Sequence, residues 1–131
     1  MAIFIGFLLA FLVGVLARVV RLDRDRAFYP TVMLPIASYY VLFAVMGGAA
    51  LLPEALIGAG FIALTVVGFR KTPWLVVAAL ALHGLFDLVH HHLITNPGVP
   101  PWWPGFCSAY DLTAAVFLGM LLRRASQHTK T

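Results

Sequence analysis

The residues best suited to chemistry lie together in one apolar stretch, residues 79–92. This stretch carries five ionisable side chains, which are His83, Asp87, His90, His91 and His92. Ionisable groups are costly to bury in hydrocarbon, so those found within apolar segments usually mark sites of function. We therefore take this stretch as the candidate functional site.

Helical spacing predicts that most of these side chains share one face. His83, Asp87 and His91 follow one another at intervals of four residues, and His90 lies three residues after Asp87. Residues three and four apart are neighbours on a helix surface. The same spacing turns His92 away, toward the membrane interface.

A further carboxylate, Asp111, lies in the last apolar segment, with small residues at steps of four below it. At a rise of about 1.5 Å per residue, Asp87 lies roughly 9 Å from the end of its segment at Leu93. Asp111 lies roughly 8 Å from the start of its own segment near Phe106. Because a short loop joins these segments, we expect antiparallel neighbours with the two carboxylates at similar depth. Glu54 is expected at the same end.

Imidazole and carboxylate groups are ligands of first-row divalent metals. We predict a metal site with His83, Asp87, His90 and His91 as ligands, and with zinc, iron, manganese or copper as the ion. Asp87 and Asp111 are the predicted catalytic carboxylates, because three ligands leave an open position and a second carboxylate can act as base. Three alternatives stay open: a proton relay, a structural hydrogen-bond network, and a haem or other cofactor.

The other polar residues have plainer interpretations. Cys107 is predicted to be a small apolar packing residue. Tyr39 and Tyr40 are expected to form hydrogen bonds between helices, since buried tyrosine hydroxyls usually find a partner. Glu54 is expected at the membrane interface, and His128 in a polar tail.

Composition indicates an integral membrane protein. Of the 131 residues, 62% are hydrophobic and 11% are charged, and the mean hydropathy is +0.95. A soluble domain carries about 25% charged residues. The net charge of +4 does not indicate nucleic-acid binding, because the basic residues lie where membrane topology requires them.

The hydropathy pattern predicts a single all-α domain, residues 1–131, formed by a polytopic bundle of five transmembrane helices. The predicted spans are residues 1–20, 28–52, 55–69, 74–93 and 106–122. The first lacks a basic n-region and a cleavage site, so we expect a retained helix. A turn at Pro53-Glu54 separates the second span from the third, and the alternative there is one helix plus a re-entrant hairpin.

The distribution of basic residues predicts the orientation. All nine lysines and arginines lie at the end of the first span or after it, after the third span, or beyond the fifth. The positive-inside rule then predicts that the chain lies in a cell's inner membrane with its N-terminus outside and its C-terminus on the cytoplasmic side. The His/Asp site accordingly opens to the outer face.

Three stretches carry a resemblance. They are Asp-Arg-Ala-Phe-Tyr-Pro (25–30), His-Gly-Leu-Phe-Asp-Leu-Val-His-His-His (83–92) and Pro-Trp-Trp-Pro-Gly-Phe-Cys-Ser-Ala-Tyr-Asp (101–111). The chain resembles a family of small, uncharacterised bacterial multi-pass membrane proteins, and the resemblance supports Asp87, His90, His91 and Asp111 without implying an activity. A looser likeness links it to membrane hydrolases and hydroxylases that hold a metal with His and Asp. The chain lacks the separated His boxes of desaturases and has fewer spans than the seven-helix lipid hydrolases.

Two functions compete at this stage. The first is a metal-dependent membrane enzyme acting on a lipid or small apolar substrate that enters from the bilayer. The second is a non-catalytic membrane subunit or small proton-linked transporter whose His/Asp cluster is structural. The expected partners are membrane lipids, and either a second copy of the chain or a membrane-protein complex, with no nucleic acid.

Overall fold

The computed structural model describes residues 1–129, and every regular element in that range is helical. The five α-helices, in chain order, are α1 (Ala2–Val19), α2 (Phe28–Gly47), α3 (Leu51–Arg70), α4 (Trp74–Leu93) and α5 (Trp103–His128). A short 3-10 turn at Leu22–Arg24 connects α1 to α2. All five α-helices are long and apolar enough to cross a membrane, which confirms the predicted all-α architecture.

The helices pack in a sequence of neighbours that differs from chain order. α5 lies between α1 and α4, α3 lies between α4 and α2, and α2 also reaches α4. Segment 94–102 lies at one end of the bundle, which we call the loop end. The opposite end, which we call the basic end, carries the arginine-rich connection after α1, where Arg26 lies 6.0 Å from the Phe69 ring centroid.

The turn between α2 and α3 lies at residues 48–50, not at the predicted Pro53-Glu54. Gly48 and Ala50 have left-handed φ angles of 68° and 63°, which reverse the chain within a few residues. Pro53 instead occupies the first turn of α3, where the helix needs no amide donor. As a result α3 is a separate helix of 20 residues, long enough to span, and the re-entrant hairpin is not formed.

α5 is longer than the predicted 106–122 at both ends. It begins at Trp103 because Pro104 suits the first turn of a helix. It continues past Arg123 and Arg124 because the backbone hydrogen bonds of a helix form within the helix itself, also outside the apolar region. Hydropathy locates the apolar part of such a helix but not its end.

Small residues bring α1 close to α5. The buried residues of α1 are Gly6, Ala10, Gly14 and Ala17. A side chain at Gly6 would meet the backbone carbonyl of Phe106, and the ring of Phe117 fills the space beside Gly14. Small residues allow this close approach in lipid, where dispersion contacts replace the hydrophobic effect as the force between helices.

We expect Gly6→Leu to destabilise the bundle by about 1–3 kcal/mol, as overpacking does in other closely packed interiors. The measurement is chemical unfolding in mixed micelles. The matched control is Gly60→Leu, because Gly60 is also helical and nothing lies within 4 Å of a side chain added there. Equal stability of the two variants would show that the α1–α5 contact does not depend on Gly6.

Candidate metal centre

Only some of the ionisable side chains of α4 lie on the face of the helix that is buried in the bundle. His83, Asp87 and His90 are buried, whereas His91 and His92 are exposed. The reason is the helical repeat of 3.6 residues, which places His90 about 20° from His83 around the helix axis and His91 about 80° from it. Repeated steps of four residues therefore rotate off the buried face.

His83 lies between two carboxylates. Its Nδ1 is 2.7 Å from Oδ2 of Asp111 on α5 and 3.5 Å from Oδ2 of Asp87, one turn along α4. The two helices approach closely because Gly84 has no side chain; one added there would meet the Ser108 carbonyl at 3.1 Å. The predicted juxtaposition of Asp87 and Asp111 at one depth is therefore seen, with His83 joining them.

Tyr40 of α2 completes the surroundings of Asp87. Its hydroxyl donates a hydrogen bond of 2.7 Å to Oδ1 of Asp87, which is the helix–helix hydrogen bond expected for a buried tyrosine. The ring of Phe61 on α3 lies edge-on to His83, with ring centroids 4.8 Å apart. Groups from four helices thus enclose the imidazole and the two carboxylates.

Cys107 is the member of this cluster that the sequence analysis assigned to packing alone. It is buried one turn before Asp111 on α5, and its Sγ is 3.9 Å from Oδ2 of Asp111. One ligand atom from each of His83, Asp87, Cys107 and Asp111 lies within 4.8 Å of the others, so this group could hold a metal ion. We call these four residues the buried centre. The sequence does contain a signal for this position, because Cys107 and Asp111 are four residues apart and so share one face of a helix.

The buried centre contains two carboxyl groups and a single imidazole. Asp87 and Asp111 are both 0% exposed, and one imidazole serves them both. Oδ2 of Asp87 and Oδ1 of Asp111 have no hydrogen-bond partner within the described part of the chain. A buried ionised carboxylate is strongly unfavourable unless it is paired or coordinates a cation. The arrangement therefore calls for a metal ion or a retained proton.

A second polar cluster lies nearer the loop end, and it contains His90 and Glu54. Nε2 of His90 is 2.7 Å from Oε1 of Glu54. Asn96 donates to the same oxygen at 2.9 Å and to the Tyr40 carbonyl at 3.2 Å. The Tyr40 ring stacks on His90 with centroids 3.9 Å apart. This cluster anchors segment 94–102 to α2, α3 and α4.

The predicted site residues are therefore divided between three places. His83, Asp87 and Asp111 come together in the buried centre. His90 lies in the second cluster with Glu54, which is 1% exposed and lies in the first turn of α3 near the loop end. His91 is exposed on α4, away from the group of four.

A cavity of about 580 Å³ connects the loop end to this region. Its wall includes Asp87, His90 and His91, and the loop prolines form its rim. This volume lies within the range of small-molecule sites in proteins, about 300–1,000 Å³. The cavity therefore extends from the loop end to the neighbourhood of Asp87, whose own side chain is 0% exposed.

Comparison of the chain with protein-family models, with curated proteins and with solved structures found no match. The resemblance to small bacterial multi-pass membrane proteins therefore stays a prediction.

We expect Tyr40→Phe to lower the free energy of unfolding by about 1–3 kcal/mol, because it leaves a buried carboxylate oxygen without its donor. Chemical unfolding in mixed micelles measures the change. The control is Tyr39→Phe, which removes the hydroxyl of a neighbouring tyrosine that is 37% exposed. An equal effect of both substitutions would mean that the hydrogen bond to Asp87 adds nothing to stability.

Proposed function

We propose that this protein is an integral membrane metalloprotein, and that the buried centre is the site of a metal-dependent enzyme. The observation that carries the proposal is the pair of fully buried carboxylates, Asp87 and Asp111. Each leaves one oxygen without a hydrogen bond in residues 1–129, and His83 is the nitrogen base that contacts both carboxylates. A divalent cation would neutralise both carboxylates at once.

The donor atoms fit a first-row transition metal. An imidazole nitrogen and two carboxylate oxygens give three ligands, which is the number of protein ligands in catalytic zinc sites, and these donor types also suit iron or manganese. Cys107 is the outlying member, since its Sγ lies 3.9 Å from Asp111. We therefore propose His83, Asp87 and Asp111 as ligands, with Cys107 beside the fourth position. This set replaces the one predicted with His90 and His91.

When bound, a divalent ion would polarise a substrate carbonyl or a water molecule. The residues around the ion would orient its ligands and exclude bulk water. Tyr40 holds Oδ1 of Asp87 and so leaves Oδ2 for the ion. Burial in a low-dielectric interior strengthens every electrostatic interaction at the centre. The loop-end cavity would supply water or a polar reactant.

We also propose an orientation for the chain. The arginines and lysines of the described chain lie in the connections and helix ends at the basic end. The positive-inside rule then puts that end on the cytoplasmic side of a cell's inner membrane. The loop end, the cavity and the buried centre would then face the outer side. Trp102 is 54% exposed at the loop end, which suits a tryptophan anchored at a membrane interface.

The first test is metal content. Protein purified in mild detergent, without chelators or a histidine tag, is expected to contain about one transition-metal ion per chain by elemental mass spectrometry. Asp111→Asn should lose the metal, because the change keeps the side-chain shape but removes the negative charge. The matched control is His91→Ala together with His92→Ala, which removes the exposed histidines and should leave the content unchanged.

Cys107→Ser separates a catalytic centre from a structural one. If three ligands leave an open position, this variant keeps its metal. Loss of metal as complete as in Asp111→Asn would indicate a closed four-ligand centre, which is the arrangement of structural zinc sites. Wild-type protein without any metal would overturn the proposal as a whole.

The second candidate function is a non-catalytic membrane subunit in which the buried groups form a hydrogen-bond network. The two short bonds favour it: Tyr40 to Asp87 and His83 to Asp111, both 2.7 Å, join α2, α4 and α5. A network of this kind requires a retained proton in place of a metal. Metal-free protein that purifies as a stable oligomer or complex in mild detergent would support this candidate.

A further inference from the structure

A second opening leads to the buried centre from the side of the bundle. α2 and α5 do not pack tightly against each other, and a crevice of about 420 Å³ lies between them. Its lining is apolar or aromatic apart from one threonine, and it includes Leu9, Pro35, Tyr39 and Tyr110. Because Leu9, Pro35 and Tyr39 are exposed on the bundle surface, the crevice opens toward the lipid.

The shape of the crevice suits a hydrocarbon chain. Along α2 it extends from Thr31 to Tyr39, which is about 12 Å at 1.5 Å per residue. The wall also includes Cys107, a member of the buried centre. An apolar chain lying in the crevice would therefore end beside the centre.

The crevice and the loop-end cavity reach the same centre from different sides. Cys107 borders the crevice, and Asp87 borders the cavity. One entrance faces lipid, and the other faces the loop end with its polar groups. This arrangement fits an amphiphile, whose apolar and polar parts need different surroundings.

The side chains near the two openings indicate which kind of polar head group the amphiphile carries. Neither lining includes a lysine or an arginine, and within the described chain these residues lie toward the basic end. A phosphate or carboxylate head group would meet Asp87 with no lysine or arginine beside it, and His90 and His91 are the nitrogen bases in the cavity wall. Trp103, in contrast, lines the crevice and has a buried indole N–H without an acceptor in residues 1–129. An uncharged group with an acceptor oxygen would suit this place.

We propose that the crevice between α2 and α5 binds the chain of an uncharged single-chain amphiphile, such as a fatty ester, and brings its carbonyl group to the buried centre. The binding follows from the apolar crevice and from the absence of lysine and arginine in both linings. The delivery to a reactive centre rests on the proposed function above. The substrate class is therefore an apolar ester or related carbonyl compound, and anionic phospholipids are excluded from it.

Photolabelling of the purified protein in nanodiscs tests the binding. The probe is a monoacylglycerol with a diazirine in its acyl chain, and mass spectrometry locates the label. We expect labelled peptides from α2 and α5 around Tyr39 and Tyr110. Unlabelled monoacylglycerol should compete at least ten-fold better than lysophosphatidylglycerol, which has the same chain and a negative head group.

Leu9→Trp should fill the crevice and reduce this labelling several-fold. The matched control is Leu12→Trp, because Leu12 is 56% exposed on the same helix and lies outside the crevice lining. Both variants should keep the metal content of the wild type, which shows that they fold. Equal labelling of the two variants, or equal competition by the anionic lipid, would overturn the inference.

The two proposals fail separately. Specific labelling of a metal-free protein would sustain the amphiphile site and overturn the metalloenzyme. Stoichiometric metal without specific labelling would support the metalloenzyme and overturn the amphiphile site.

Discussion

Two buried carboxylates with one imidazole between them are the constraint on which the rest of this structure depends. Asp87 and Asp111 have no exposure to solvent, and unpaired charges in such a place destabilise a fold by several kcal/mol. The surrounding features are arranged to compensate for them. Gly84 lets α5 approach α4, and Tyr40 brings a hydroxyl from α2. A metal ion shared by the carboxylates would complete this compensation.

Tyr40 links this centre to the loop end of the bundle. Its hydroxyl binds Asp87, its ring stacks on His90, and its carbonyl accepts from Asn96. Asn96 and His90 in turn both contact Glu54. The wall of the loop-end cavity is thereby held by the same residue that orients a proposed ligand.

Much of the architecture follows from the sequence because hydrocarbon thickness and helical rise are simple constraints. They predict five helices, and they predict that Asp87 and Asp111 meet at one depth. Whether His90 or His91 shares the buried face depends on the rotation of about 100° per residue. Each step of four residues rotates about 40° past a full turn, so two steps move His91 about 80° away from His83. Counted at about 100° per residue, the spacing favours His90 over His91 on the face of His83, and packing shows that this face is the buried one.

Other features depend on contacts that no local pattern contains. The turn at Gly48 and Ala50 precedes the proline that seemed to mark it, since a proline also suits the first turn of a helix. Glu54 is buried because His90 and Asn96, far along the chain, provide its partners. Cys107 joins the centre only because α5 presents the face that also carries Asp111.

X-ray absorption spectroscopy of the protein loaded with one equivalent of zinc would test the shared-cation account most directly. The account predicts nitrogen and oxygen neighbours at about 2.0–2.2 Å, with the outer-shell scattering of a single imidazole, that of His83. Scattering from two or three imidazoles would place the ion on exposed histidines such as His91 and His92. That result would contradict the assignment of the buried carboxylates as the metal site.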